Sequence, residues 1–182
     1  MKKMLLGAGA VIGIALLAGC ATTPRALPTQ AGVDLLRYAG TWYEQARLPN
    51  RFQRDCTGEV RADYALNPDG TLSVVNQCRQ ADGSVKRAEA VGRLAERGPD
   101  ADPAKLEVRF APDWTSWLPI VWGDYWIIRL DGDYEYSLVG TPDRKYLWVL
   151  TRDERADPQR VQALLDYAGT LGFAVDEMIR SE

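Results

Sequence analysis

Apolar side chains recur at every second position through most of the chain. Val60, Ala62, Tyr64 and Leu66 alternate with Glu59, Arg61 and Asp63, and Leu72, Val74, Asn76 and Cys78 continue that face after the turn Asn67-Pro68-Asp69-Gly70. Ala88, Ala90, Gly92 and Leu94 follow against Arg87, Glu89 and Arg93, then Leu106, Val108 and Phe110 against Lys105, Glu107 and Arg109. Trp126, Ile128 and Leu130 come next with Arg129 outward, then Tyr136 and Leu138 with Glu135 and Ser137 outward, then Tyr146, Trp148 and Leu150 leading to Arg152. Period two is the signature of a strand with one covered face. Gly40 to Arg47 precedes these rows, with Gly40, Trp42 and Glu44 on one face. The pattern predicts eight short strands joined at hairpin spacing. It fits an all-β protein, either a sandwich or an antiparallel up-and-down barrel, and the uniformly short connections favour the barrel. An eight-stranded barrel is just wide enough to hold one small ligand.

The period changes near the end. Asp157-Pro158 reads as an N-cap followed by proline at the first helical position, and Val161, Leu164, Leu165 and Ala168 recur at helical spacing. This predicts one α-helix packed on the outside of the barrel, closed by Gly169 and Gly172, with residues 173–179 returning as a short strand or tail. Asp34 is expected to cap one helical turn before the first strand.

The N-terminus reads as an address. Met1-Lys2-Lys3 is positive, and the uncharged apolar run that follows ends at Gly19, short of the roughly 20 residues of a spanning helix. We expect residues 1–19 to be a signal peptide, residues 20–32, which open on Cys20 and are rich in Thr and Pro, to be a flexible tether, and residues 33–182 to be the folded domain. Such a leader implies an oxidising compartment. Zinc would need more ligands than Cys56 and Cys78, a redox pair more usually has Cys-x-x-Cys spacing, and a structural disulfide is the expectation.

Composition narrows the chemistry. The chain has 182 residues, a formal charge of -3 and no histidine. The acidic balance argues against a nucleic-acid partner, and the missing histidine removes the commonest general base and zinc ligand. No metal or cofactor is expected. Glu44 and tyrosines are the only catalytic candidates facing the barrel interior, so a binding protein is expected over an enzyme. The loop containing Trp114, Trp117 and Trp122 carries Leu118, Pro119, Ile120 and Val121 as well. Alternation of connections places it at the open mouth, beside the loop after Arg47 and the turn Gly140-Thr141-Pro142-Asp143-Arg144. It could line the entrance, lie in a bilayer interface, bury in a homodimer, or fold over its own pocket.

Two resemblances sharpen this picture. Leu17-Ala18-Gly19-Cys20 resembles the lipobox of bacterial lipoproteins. It implies acylation of Cys20, and Ala21 in the next position implies the outer membrane, with the domain facing the periplasm. Tyr38-Ala39-Gly40-Thr41-Trp42-Tyr43-Glu44, Leu130-Asp131-Gly132-Asp133-Tyr134 and Tyr146-Leu147-Trp148-Val149-Leu150-Thr151-Arg152 resemble the three signature regions of the lipocalins. The similarity is to the bacterial outer-membrane lipoprotein subgroup, related to apolipoprotein D and plant temperature-induced lipocalins. It implies a calyx whose base is plugged by Trp42, with Arg152 across its ring and Gly40 beside it. It places Tyr64, Phe110, Trp148 and Leu150 in the cavity. Strand parity gives the same four and adds Trp126 and Tyr136, with Glu44 and Asn76 as polar ligand candidates. The implied function is binding of fatty acids or lysophospholipids for storage, transport or repair of the envelope, with a lipocalin-fold enzyme or a binder of another apolar ligand as the alternative.

Overall fold

The computed structural model describes residues 26–181; the expected signal peptide and Cys20 lie outside them. Eight strands, β1 (Gly40–Arg47), β2 (Cys56–Leu66), β3 (Leu72–Gln80), β4 (Val85–Leu94), β5 (Lys105–Arg109), β6 (Gly123–Asp131), β7 (Tyr136–Gly140) and β8 (Leu147–Thr151), pair antiparallel in sequence order, and β1 closes the ring against both β8 and β2. Closure leaves no long free edge. The turn Asn67-Pro68-Asp69-Gly70 joins β2 to β3 with Gly70 at φ +81°, the left-handed position a β-bulge turn needs. Helix α1 (Leu35–Tyr38) is capped by the Asp34 carboxylate, which accepts from the Leu36 and Arg37 amides.

Helix α2 (Pro158–Thr170) starts at the Asp157 cap and lays Val161, Leu164, Leu165 and Ala168 on the barrel wall. There they meet Ile128, Tyr136, Leu138, Leu147 and Val149 from the outer face of β6 to β8. The molecule therefore has two apolar clusters, one inside the barrel and one between barrel and helix. The chain after α2 passes one 3₁₀ turn and ends in β9 (Ile179–Arg180), which pairs with Ala46 and Arg47 of β1. β9 takes the edge of β1 that β2 has left, because β2 pairs with β1 only from Gly40 to Tyr43.

Part of the expected tether is structured. Leu27 is buried in the helix-side cluster, Thr29 donates to the Asp102 carboxylate at 2.6 Å, and the Gln30 amide donates to the Ile127 carbonyl at 2.9 Å. Residues 27–30 behave as an extra segment on the outer wall. One apolar residue among prolines and threonines was too weak a periodic signal to predict it.

Candidate functional site

The floor of the barrel is built from the first signature stretch. Trp42 is fully buried and its Nε1 donates to the Tyr38 carbonyl at 2.8 Å. The Arg152 guanidinium lies over the indole, with Cζ 3.9 Å from the ring centroid. It also donates to four backbone carbonyls, those of Arg37, Tyr38, Thr41 and Tyr134. Burial pulls the Arg152 pKa below its ordinary value, yet carbonyls and ring together replace its lost water. Gly40 sits at φ +104°, and a Cβ there would stand 3.1 Å from the guanidinium. Glycine is thus required twice over, for the backbone and for the arginine.

Above the floor, hydroxyls meet. The Tyr38 hydroxyl lies 2.8 Å from that of Tyr125 and 3.2 Å from Ser137 Oγ, and Tyr64 donates to Tyr125 at 2.9 Å. Burial raises all three phenols, Tyr38 to about 12. They remain neutral at neutral pH and serve as an internally satisfied polar layer. Around them stand Val74, Ala90, Leu106, Ile127, Val139 and Leu150. Higher up, Ala62, Asn76 and Ala88 lie in register across β2, β3 and β4, so the wall there is made of short side chains.

A second polar cluster crowns this interior. Glu44 and Arg47 form an ion pair at 2.6 Å with both side chains nearly inaccessible, 2% and 8% exposed. A bulge in β1 between Glu44 and Ala46 turns Arg47 inward to reach it. Gln53 donates to the other Glu44 oxygen at 2.5 Å and accepts from Trp148 Nε1 at 2.9 Å, while Ser181 Oγ donates to Glu44 at 3.2 Å. Gln53 belongs to the loop 48–55, which arches over the mouth. The Phe52 ring meets Tyr146 on the β8 side, and the Phe52 carbonyl accepts from Lys86 on β4, across the barrel. The bridge Cys56–Cys78, as expected from the sequence, pins the end of this loop to β3 with a Cα separation of 5.6 Å.

The predicted ligand residues divide. Tyr64, Trp148 and Leu150 face the interior, as do Glu44 and Asn76. Glu44 is held by Arg47 and Gln53, and Tyr64 bonds to Tyr125. Phe110 lies one residue past β5 and is half exposed. Trp126 and Tyr136 are corrections: both belong to the helix-side cluster, and Tyr136 accepts from the Asp157 amide at the start of α2. Their places inside are taken by Tyr125, Ile127, Ser137 and Val139. The reason is physical. Strands β6 and β7 are covered on both faces, so their alternation is lost. A bulge between Ile127 and Arg129 then shifts any count made from the outward Arg129. The unbroken apolar run 125–128 was the available signal of a doubly covered strand. Gly92 also leaves no free volume, since a Cβ there would meet Leu72 at 3.3 Å.

The tryptophan loop does not cover the interior. Residues 111–122 turn down the outer face of β4 and β5, and a shallow cleft of about 400 Å³ lies between the loop and Arg93, Arg97 and Glu107. Trp114, Trp117 and Ile120 are left 77%, 76% and 90% exposed. Among the described residues no group of acidic or cysteine side chains is arranged to hold a metal ion.

Comparison with known proteins agrees with this architecture. The model of the lipocalin-like domain family matches residues 33–182. Temperature-induced lipocalin-1 of Arabidopsis thaliana is 35% identical over 86% of this chain and 83% of its own length. The outer membrane lipoprotein Blc of Citrobacter freundii is 33% identical over 97% of this chain and 96% of its own. Among solved structures, insecticyanin from the tobacco hornworm superposes with a TM-score of 0.64 at 20% identity, over 86% of this chain and 84% of that one, a likeness of fold.

Proposed function

The chain belongs to the lipocalin family, and from that premise we propose that it binds single-chain amphiphiles, fatty acids or lysophospholipids, and carries or stores them at the outer membrane. The observation that carries this reading is the layering of the interior. The barrel interior, where Tyr64, Val74, Ala90 and Leu150 form one buried apolar cluster, is crowned by a charged pair and an amide at the mouth. On this reading an acyl chain takes the apolar layer and a polar head the second. The Asn76 amide lies between them and makes no hydrogen bond to the described residues, so it is available to a ligand. Entry requires the loop 48–55 to release Gln53 and Phe52 from the mouth.

Anchoring through an acylated Cys20 supports the same reading. The relative from Citrobacter freundii is named an outer membrane lipoprotein, and its alignment covers 97% of this chain. An acyl anchor would hold the binding site beside its ligand pool, with the domain on the periplasmic side. The protein is read as a binder and not an enzyme, since the interior titratable groups are held by neighbours, Glu44 by Arg47 and Gln53, and Tyr38 and Tyr64 by Tyr125.

Extraction of the native protein followed by mass spectrometry should recover acyl ligands, and Trp148→Ala should weaken uptake of a fluorescent fatty acid about tenfold by removing a ring and the anchor of Gln53. Absence of saturable binding for every acyl ligand tried would defeat the reading.

A further inference from the structure

Each oxygen of the hydroxyl layer inside the barrel is bonded within it, yet the hydrogens do not balance. Tyr38, Tyr64, Tyr125 and Ser137 bring one hydroxyl hydrogen each. Burial holds the three phenols above their ordinary pKa, so at neutral pH every one keeps its hydrogen. Three hydrogen bonds run between these groups, Tyr64 to Tyr125, Tyr38 with Tyr125 and Tyr38 with Ser137, and the four oxygens make no other to the described residues. Three bonds use three hydrogens. Whichever way the bonds of Tyr38 run, one hydrogen is left without an acceptor.

The geometry narrows where it sits. Tyr64 already donates, so the spare hydrogen belongs to Tyr38, Ser137 or Tyr125. Tyr38 and Ser137 are fully buried, whereas Tyr125 keeps partial accessibility. A donor without an acceptor is costly in proportion to its burial, which favours Tyr125. Its oxygen then accepts from Tyr64 and Tyr38, and Tyr38 accepts from Ser137. Partly accessible side chains also lead from the mouth to this hydroxyl. Trp148, Val108 and Tyr125 all pack against the interior cluster without being closed off by it. Trp148 stands opposite Arg47, and Val108 stands opposite Gly123, two residues nearer the mouth than Tyr125.

We propose that the Tyr125 hydroxyl is a second polar subsite, which recognises an oxygen carried on the acyl chain itself, so that the preferred ligand is an oxo or hydroxy acyl chain and not a plain one. The proposal rests on the reading of the interior as an acyl-binding site. The mouth cluster then takes the head, and Tyr125 takes the oxygen on the chain. An oxo group accepts the spare hydrogen and brings none of its own. A hydroxyl accepts it and donates its own to Tyr64, whose oxygen accepts no bond within the layer. Elsewhere along the apolar cluster the same oxygen would be buried without a partner, which is unfavourable. The place of the oxygen on the chain therefore decides whether it helps or harms binding.

The test titrates the purified full chain with octadecanoic acid and with a series of oxo-octadecanoic acids that differ only in the place of the carbonyl. One narrow range of places should bind about tenfold tighter than octadecanoic acid, and the others more weakly than it. Tyr125→Phe keeps the ring and removes the donor. It should abolish the favoured place and leave the affinity for octadecanoic acid within about twofold. Tyr64→Phe removes one hydrogen together with one bond, so the spare hydrogen and the favoured place should both remain. Octadecanoic acid that binds with no oxo place favoured overturns the proposal and leaves the acyl-binding reading intact. So does a favoured place that survives Tyr125→Phe or is lost in Tyr64→Phe. Failure of every acid in the series to bind saturably removes both. The wild-type series decides the proposal even where Tyr125→Phe does not fold.

Discussion

Arg152 lies 3.9 Å over Trp42 at the barrel floor, and Arg93 lies 3.7 Å over Trp122 on the outer wall. The two stacks have nearly the same geometry and very different surroundings. At the floor the indole is fully buried, its N–H is bonded within the chain, and the guanidinium is shared among four carbonyls. On the wall the indole is partly open to water, and Arg93 also pairs with Glu107 at 2.9 Å. A cation over a ring is worth roughly 0.5–1 kcal/mol when exposed and 2 or more when desolvated. What differs is therefore the exclusion of water. The floor stack holds the fold together, while the wall stack only fixes the direction of a loop.

The sharpest way to break that contrast is truncation. Trp42→Ala should cost about 3–5 kcal/mol, enough to threaten folding altogether. The same change at the exposed Trp117 should stay within about 0.5 kcal/mol. Denaturant midpoints check both, and similar losses at the two sites would erase the distinction. The mouth cluster tests whether desolvation also governs ion pairs. Glu44→Gln leaves the buried Arg47 charge without its partner and should cost about 3 kcal/mol. Adding Arg47→Met should recover most of that stability, measured in the same way. The smallest effect is confined to the floor and to alkaline pH. Burial raises the phenol of Tyr38 from 10.0 to about 12, and those of Tyr64 and Tyr125 rise as well. An unfolded chain ionises these groups first, so the stability they contribute is complete below pH 10 and falls as pH rises above it, Tyr38's share being lost toward about 12. Urea titrations across that window should show the loss, and Tyr64→Phe should flatten it.

Much of this was written in the order of the residues. Alternation at single-covered strands placed Tyr64, Val74, Ala90 and Leu106 correctly, because a strand with one wet face must alternate. The Asp157-Pro158 cap and the helical row after it located α2, and the signature stretches led to Trp42, Arg152 and Gly40. These are local rules, set by pleat, helix period and backbone sterics. Other features needed the assembled chain. Trp126 and Tyr136 face outward because α2 returns to cover β6 and β7, which no local pattern announces. Arg47 and Gln53 reach Glu44 only through a bulge and an arched loop that close in three dimensions. The direction of the tryptophan loop was likewise left open by its composition, since an apolar loop can cover a mouth or leave it. Cation contacts with Arg93 and Arg109, on two different strands, decided that it leaves. Periodicity reports how many faces of an element are wet, and only the tertiary structure decides what dries them.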